Sequence, residues 1–179
     1  MTAFATLGLE EEKAVWERFS EAFGLEGRPM REPVPFVVYQ LDVDALWWQE
    51  PPSCEWQSNP ALEADFYAKM LSAFRSCLRP EEFLYALDEQ HQCYRFWPHR
   101  LQHGESWKLP LIPDGDYSHF VSEDFRLGML GYLYGGSGET ADEPAICVFG
   151  EELVALVRAD PPAIVTRIVR QTSGWPQST

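Results

Sequence analysis

The chain has 179 residues, 45% of them apolar and 14% aromatic, which excludes intrinsic disorder and suits one domain with a full core. Its formal charge of −14 repels nucleic-acid phosphate, so a nucleic-acid partner would need a local basic patch. No apolar run reaches the roughly 18 residues of a membrane span, and the opening MTAFATLGLEEEK lacks the regions of a secretory signal, so a cytoplasmic protein away from membranes is expected.

The first predicted helix covers 10–23. Ala14, Val15, Phe19, Ala22 and Phe23, with Trp16 beside them, recur at helical spacing, and Glu10, Glu11 and Glu12 suit the positive end of the helix dipole. Residues 1–8 are expected to be loosely held. After Pro33 and Pro35 comes a β-branched and aromatic run that predicts a strand over 35–43. The next segment is irregular and holds Trp47, Trp48 and Trp56. They read either as an aromatic binding surface or, more ordinarily, as a flap pinned to the core. Asn59 and Pro60 supply the cap and first position of a second helix over 60–78, with Leu62, Phe66, Met70, Leu71, Phe74 and Leu78 on its apolar face.

Two short aromatic runs, 83–87 and 92–97, predict a hairpin around the polar turn Asp88-Glu89-Gln90-His91. A loop carrying His99, Arg100, His103 and Lys108 then leads to Asp114-Gly115-Asp116, which has turn chemistry. Further strands are predicted over 116–121, 127–134 and 144–149, with a glycine-rich stretch at 135–140 between the last two. A third helix is expected over 150–158, a short helix or strand over 163–169, and loosely held residues from 171 to 179. Helices at the front and back of sequence-neighbouring hairpins, with no βαβ alternation, predict a single α+β domain over 1–179 built on a mainly antiparallel sheet.

Cys54, Cys77, Cys93 and Cys147 form no C-x-x-C pair and no zinc-like spacing, and the last three sit in apolar segments where a reduced thiol behaves as a small core residue. The most chemically suggestive set is Asp88, His91, Asp114 and Asp116. If the two polar turns share a sheet edge, these groups could act as general acid and base or hold a divalent ion. The ordinary alternative is that the aspartates make turn hydrogen bonds and His91 anchors a loop. In a strand His119 falls on the face opposite Asp116, so it is left out of this set. No nucleophile elbow, phosphate loop, EF-hand or other metal or cofactor motif is present in the sequence.

The ordered segments Leu87-Asp88-Glu89-Gln90-His91-Gln92-Cys93-Tyr94, Pro113-Asp114-Gly115-Asp116-Tyr117 and Cys147-Val148-Phe149-Gly150 resemble a bacterial domain-of-unknown-function family, number 2716. The resemblance spans roughly Glu82 to Leu153, with a weaker echo at Phe36–Asp42, and implies no activity. Glu89 stands where the family tends to have Trp. Tyr132-Leu133-Tyr134 and the glycine-rich stretch stand where it tends to read His-Pro-Trp-Glu, which puts any mechanism needing that histidine in doubt for this chain.

The expectation is a small binding or regulatory protein, with an immunity-type inhibitor as one form. Its partner would be another protein, met through a surface holding Trp47, Trp48, Trp56, Arg95, His99 and Arg100. The alternative is a hydrolytic or metal-assisted enzyme working at Asp88, His91, Asp114 and Asp116.

Overall fold

β-Branched and aromatic residues fill the strand-forming segments, and the two-residue alternation of a strand sends their side chains to opposite faces. The computed structural model describes residues 2–23, 35–42, 45, 47–49, 56–88, 92–102, 118–134 and 143–172. In chain order these give β1 (Phe4–Thr6), α1 (Leu9–Phe23), β2 (Phe36–Leu41), β3 (Trp47–Gln49), β4 (Trp56–Ser58), α2 (Pro60–Cys77), β5 (Leu84–Asp88) and β6 (Tyr94–Phe96). A 3-10 turn at Pro98–Arg100 follows, then β7 (Ser118–Ser122), β8 (Gly128–Tyr134), β9 (Glu143–Phe149), α3 (Glu151–Ala159) and β10 (Val165–Gln171). None of the described helices is long and apolar enough to cross a membrane.

The main sheet has eight strands in the order β1-β6-β5-β7-β8-β9-β2-β10, every neighbouring pair antiparallel. β3 and β4 form a separate antiparallel pair. The fold is therefore α+β, as the sequence predicts, and each predicted helix and strand is present with small shifts at its ends.

Both faces of the sheet are buried. Val37, Tyr39, Leu84, Ala86, Phe96, Phe120, Met129, Ile146 and Val148 share one core layer with Phe66, Met70 and Phe74 of α2 and Leu153, Val154 and Val157 of α3. The alternate residues Phe36, Val38, Tyr85, Leu87, Val121, Leu130, Cys147 and Phe149 share the other with Val15, Phe19 and Phe23 of α1. The buried stripe of α1 is narrower than predicted: it runs at four-residue steps, and Ala14 and Ala22 are exposed. α2 starts as its sequence dictates, with the Asn59 side chain accepting from the backbone N–H groups of Ala61 and Leu62 and Pro60 in the first turn.

Two expectations, one at each end of the chain, need correction, and one open alternative is decided. Phe4–Thr6 lies in the segment expected to be loosely held, yet it pairs with β6, and the Phe4 ring stacks on Phe96 at 4.7 Å. A three-residue strand is too short to show periodicity in sequence. The segment expected at 163–169 as a helix or strand is a strand, β10, whose register on β2 shifts twice, between Val165 and Arg167 and between Ile168 and Arg170. Such bulges blur the alternation by which a strand is recognised. Gln171 closes β10, and Thr172 is fastened to Phe36 by its backbone N–H and by its hydroxyl, which accepts from the Phe36 N–H at 2.8 Å. The looseness expected from 171 onward therefore does not apply to these two residues.

The turn Ser122–Leu127 ties β7 to β8 and docks α1. Phe125 takes a positive φ of 59°, a strained backbone for a residue with a side chain. Its ring packs 5.7 Å from that of Phe23, and the Arg18 guanidinium lies 4.8 Å from the same ring. Aromatic burial and a cation over the ring offset the backbone cost. Glycine is required at Gly128, where a Cβ would lie 2.3 Å from the Phe120 carbonyl oxygen, and at Gly150, whose φ is +94° where the chain turns from β9 into α3.

Gly128→Ala should therefore destabilise the protein by about 2 kcal/mol or more, because the clash is with backbone that cannot step aside. A lowered urea midpoint with an unchanged slope is the expected result.

Candidate functional site

The register of the sheet decides which chain ends meet. Asp88, the last residue of β5, pairs with Ser118, the first of β7. The last residue of β5 thus lies beside the first residue of β7. Leu41 closes β2 opposite Val165, and Tyr134 closes β8 opposite Glu143, at this same end of the sheet. Segments 42–59, 89–93 and 135–142 all connect to strands here.

Of the four candidate residues, Asp88 is described; His91, Asp114 and Asp116 lie outside the described residues. Asp88 is 8% exposed. Its backbone is clamped by the Cys93 thiol, which accepts from the Asp88 N–H and donates to the Asp88 carbonyl, both at 3.5 Å. Trp16 of α1 hydrogen-bonds the same sulfur. One buried thiol thus holds the end of β5, the segment entering β6 and the helix above them.

This contact does not make Cys93 a nucleophile. Burial is the largest influence on the thiol and pushes its pKa up, against the weaker pull of its hydrogen bonds. Burial also pushes Cys147 up to about 12, and Cys77 up to about 12 with Glu152 adding to the effect. A thiol held protonated at neutral pH is a core residue. Cys54 lies outside the described residues. Among the described residues, no group of three or more His, Cys, Asp or Glu could hold a metal ion.

The residue that sequence reasoning set aside proves the most unusual. His119 is 1% exposed and stands in β7 between Leu87 of β5 and Leu130 of β8. Phe19 and Trp16 of α1 lie over it, with ring centroids at 4.8 and 6.2 Å. Neither ring nitrogen has a hydrogen-bond partner. Burial pushes its pKa down to about 3, with the Asp88 charge opposing, so the imidazole is neutral at pH 7. The cost of leaving a buried polar atom unmatched is about 1–3 kcal/mol. Ser122, at the other end of β7, shows the contrast: its hydroxyl donates to Asp124 and accepts from the Leu127 N–H. The one signal in the sequence was position, since His119 alternates with Val121 on the face that α1 covers.

Of the expected binding surface, the side chains of Arg95, His99 and Arg100 are described. The side chains of Trp47, Trp48 and Trp56 lie outside the described residues. Arg95 pairs with Glu11 of α1 and sits 5.7 Å from the Phe83 ring. Arg100 lies 4.1 Å from the Trp97 ring. His99 donates from Nε2 to the Leu78 carbonyl at 2.8 Å, closing the end of α2. Arg75 of α2 donates to the carbonyls of Pro98 and Leu101 in the same turn. His99 and Arg100 follow the far end of β6, where Phe96 pairs with Leu84, so they lie at the end of the sheet opposite Asp88. Their roles in the described structure are structural.

Replacing His99 with Phe should keep the packing but strip the Leu78 carbonyl of its donor. A loss of about 1–2 kcal/mol in urea unfolding is expected, with native far-UV dichroism retained.

Comparison with known proteins places the chain in a family. The model of the family described as "Protein of unknown function (DUF2716)" matches residues 6–154, so the chain belongs to that family. The match runs from β1 into α3, well beyond the Glu82–Leu153 stretch that carries the resemblance in sequence. A Bacillus subtilis (strain 168) relative, "Uncharacterized protein YxiI", is 37% identical over 105 residues, covering 56% of this chain and 59% of the relative. The matched region thus spans under two thirds of that protein's length. No solved structure matches the chain.

Proposed function

We propose that this member of the DUF2716 family is a binding or regulatory protein that engages a basic protein partner through the end of the sheet marked by Asp88. The observation that carries this reading is the pairing of Asp88 with Ser118, since it brings the end of β5 and the start of β7 to one end of a scaffold covered on both faces. Segments joined to the ends of a rigid sheet are a common place for recognition, because the scaffold holds them without depending on their sequence. The formal charge of −14, with Glu10, Glu17 and Glu21 exposed along α1, suits steering toward a positively charged surface. An inhibitor that blocks a basic enzyme, of the immunity type, is one protein class that fits these properties.

The second reading is a hydrolytic or metal-assisted enzyme at Asp88, His91, Asp114 and Asp116. It is supported by the same strand pairing, in which Asp88 stands opposite Ser118.

Affinity capture on the tagged chain separates the two. Binding readings predict a partner retained at low salt and lost at high salt, with an on-rate that falls as salt rises. Failure to retain any partner at either salt would count against it. The enzyme reading predicts a thermal shift with Mn²⁺, Zn²⁺ or Mg²⁺ that disappears in Asp116→Ala. No shift, together with a less stable Asp116→Ala protein, would instead mark that aspartate as a turn residue.

A further inference from the structure

The two helical layers are fastened to the sheet in different ways. α2 and α3 share their face and are cross-linked by polar contacts: Lys69 bridges Asp65 and Asp160, and the Asp65 carboxylate accepts from the Ala163 N–H. On the opposite face, α1 is the helix that covers the sheet among the described residues, with Val15, Phe19 and Phe23 as its buried side chains. Beneath the Trp16–Phe19 turn of that helix sits His119, buried and without a partner for either ring nitrogen.

We propose that His119 is a proton-operated latch for α1: protonation drives the imidazole out from under Trp16 and Phe19, and α1 leaves the sheet while α2 and α3 remain docked. The groups facing the imidazole make the docked state intolerant of a charge. α1 turns two aromatic rings toward it, β8 contributes Leu130, and β5 contributes Leu87. Among the described residues, Asp88 on β5 is the group whose charge favours the imidazolium, and it is outweighed by burial. The other titratable groups of this layer, Tyr85, Cys93 and Cys147, are held neutral at pH 7, with burial the largest cause for each. They offer no counter-charge.

The sign follows from which state binds the proton. With α1 released, the imidazole meets water and titrates near its ordinary value of about 6.5. Docked, it stays neutral until about pH 3. Lowering the pH between those limits therefore favours release, by about tenfold in the open population per pH unit for one proton. α1 also reaches the sheet edge through Glu11 to Arg95 and Glu12 to Gln92, contacts that a change at His119 leaves in place.

Hydrogen exchange of the full chain, corrected for the intrinsic pH dependence of amide exchange, tests the latch between about pH 7 and pH 4.5. In the wild type, protection of α1 amides should fall by about tenfold per pH unit once the pH is below about 6.5, while protection of α2 amides stays level. In His119→Gln and His119→Leu, neither of which takes up a proton there, α1 protection should stay level. Equal loss of α1 protection in wild type and variants would overturn the proposal. So would simultaneous loss of α1 and α2 protection in the wild type, a result that needs no variant to fold.

Discussion

The structure depends on one constraint: an antiparallel sheet covered by helices on both faces. Such sheets commonly leave one face to water and show a plain apolar–polar alternation. Here the inward positions are mostly apolar on both sides, and polar groups in the central strands must be satisfied locally or stay neutral. Ser122 is satisfied by its own turn. Tyr39, on the α3 side, has an unpartnered hydroxyl that burial holds protonated, its pKa raised to about 12 against the opposing charge of Arg158. His119 meets the same constraint on the α1 side by staying neutral.

That constraint also explains what was legible in the sequence. The long helices were readable because the Asn59–Pro60 cap and the Phe66, Met70 and Phe74 steps are local signals. The hairpin of β5 and β6 was readable from two aromatic runs around a polar turn. β1 and β10 were not, the first for its length and the second for its two register shifts. Of the candidate site, Asp88 closes the interior strand β5, and His91, Asp114 and Asp116 fall outside the described residues. The contacts of Arg95, His99 and Arg100 were not legible, since a guanidinium or imidazole that caps a carbonyl or crosses a ring looks the same in sequence as one that greets a partner.

The two ends of the sheet differ in kind. At the far end the chain turns tightly through Arg79–Phe83 and Ser122–Leu127, and Arg126 and Arg79 both reach Glu82 there. The Asp124 carboxyl is lowered because hydrogen bonds and the Arg126 charge outweigh the opposing effect of burial, and Glu82 is lowered chiefly by its bond from the Arg79 backbone N–H, so this end is cross-linked at neutral pH. At the Asp88 end the described fastenings include the Cys93 thiol on the Asp88 backbone and the Gln92 side chain, which donates to Leu7 and Glu12.

The bulged strand β10 has a consequence for how copies of this protein share a crowded solution. It is the last strand of the sheet, and it carries Arg167 and Arg170 with no acidic residue between Val165 and Gln171. Two such edges approaching each other would bring like charges together across backbones whose hydrogen-bonding groups have slipped out of step. The opposite edge, β1, offers only three residues for pairing. Sheet-to-sheet polymerisation is therefore discouraged at both margins, by charge and irregularity at one and by brevity at the other.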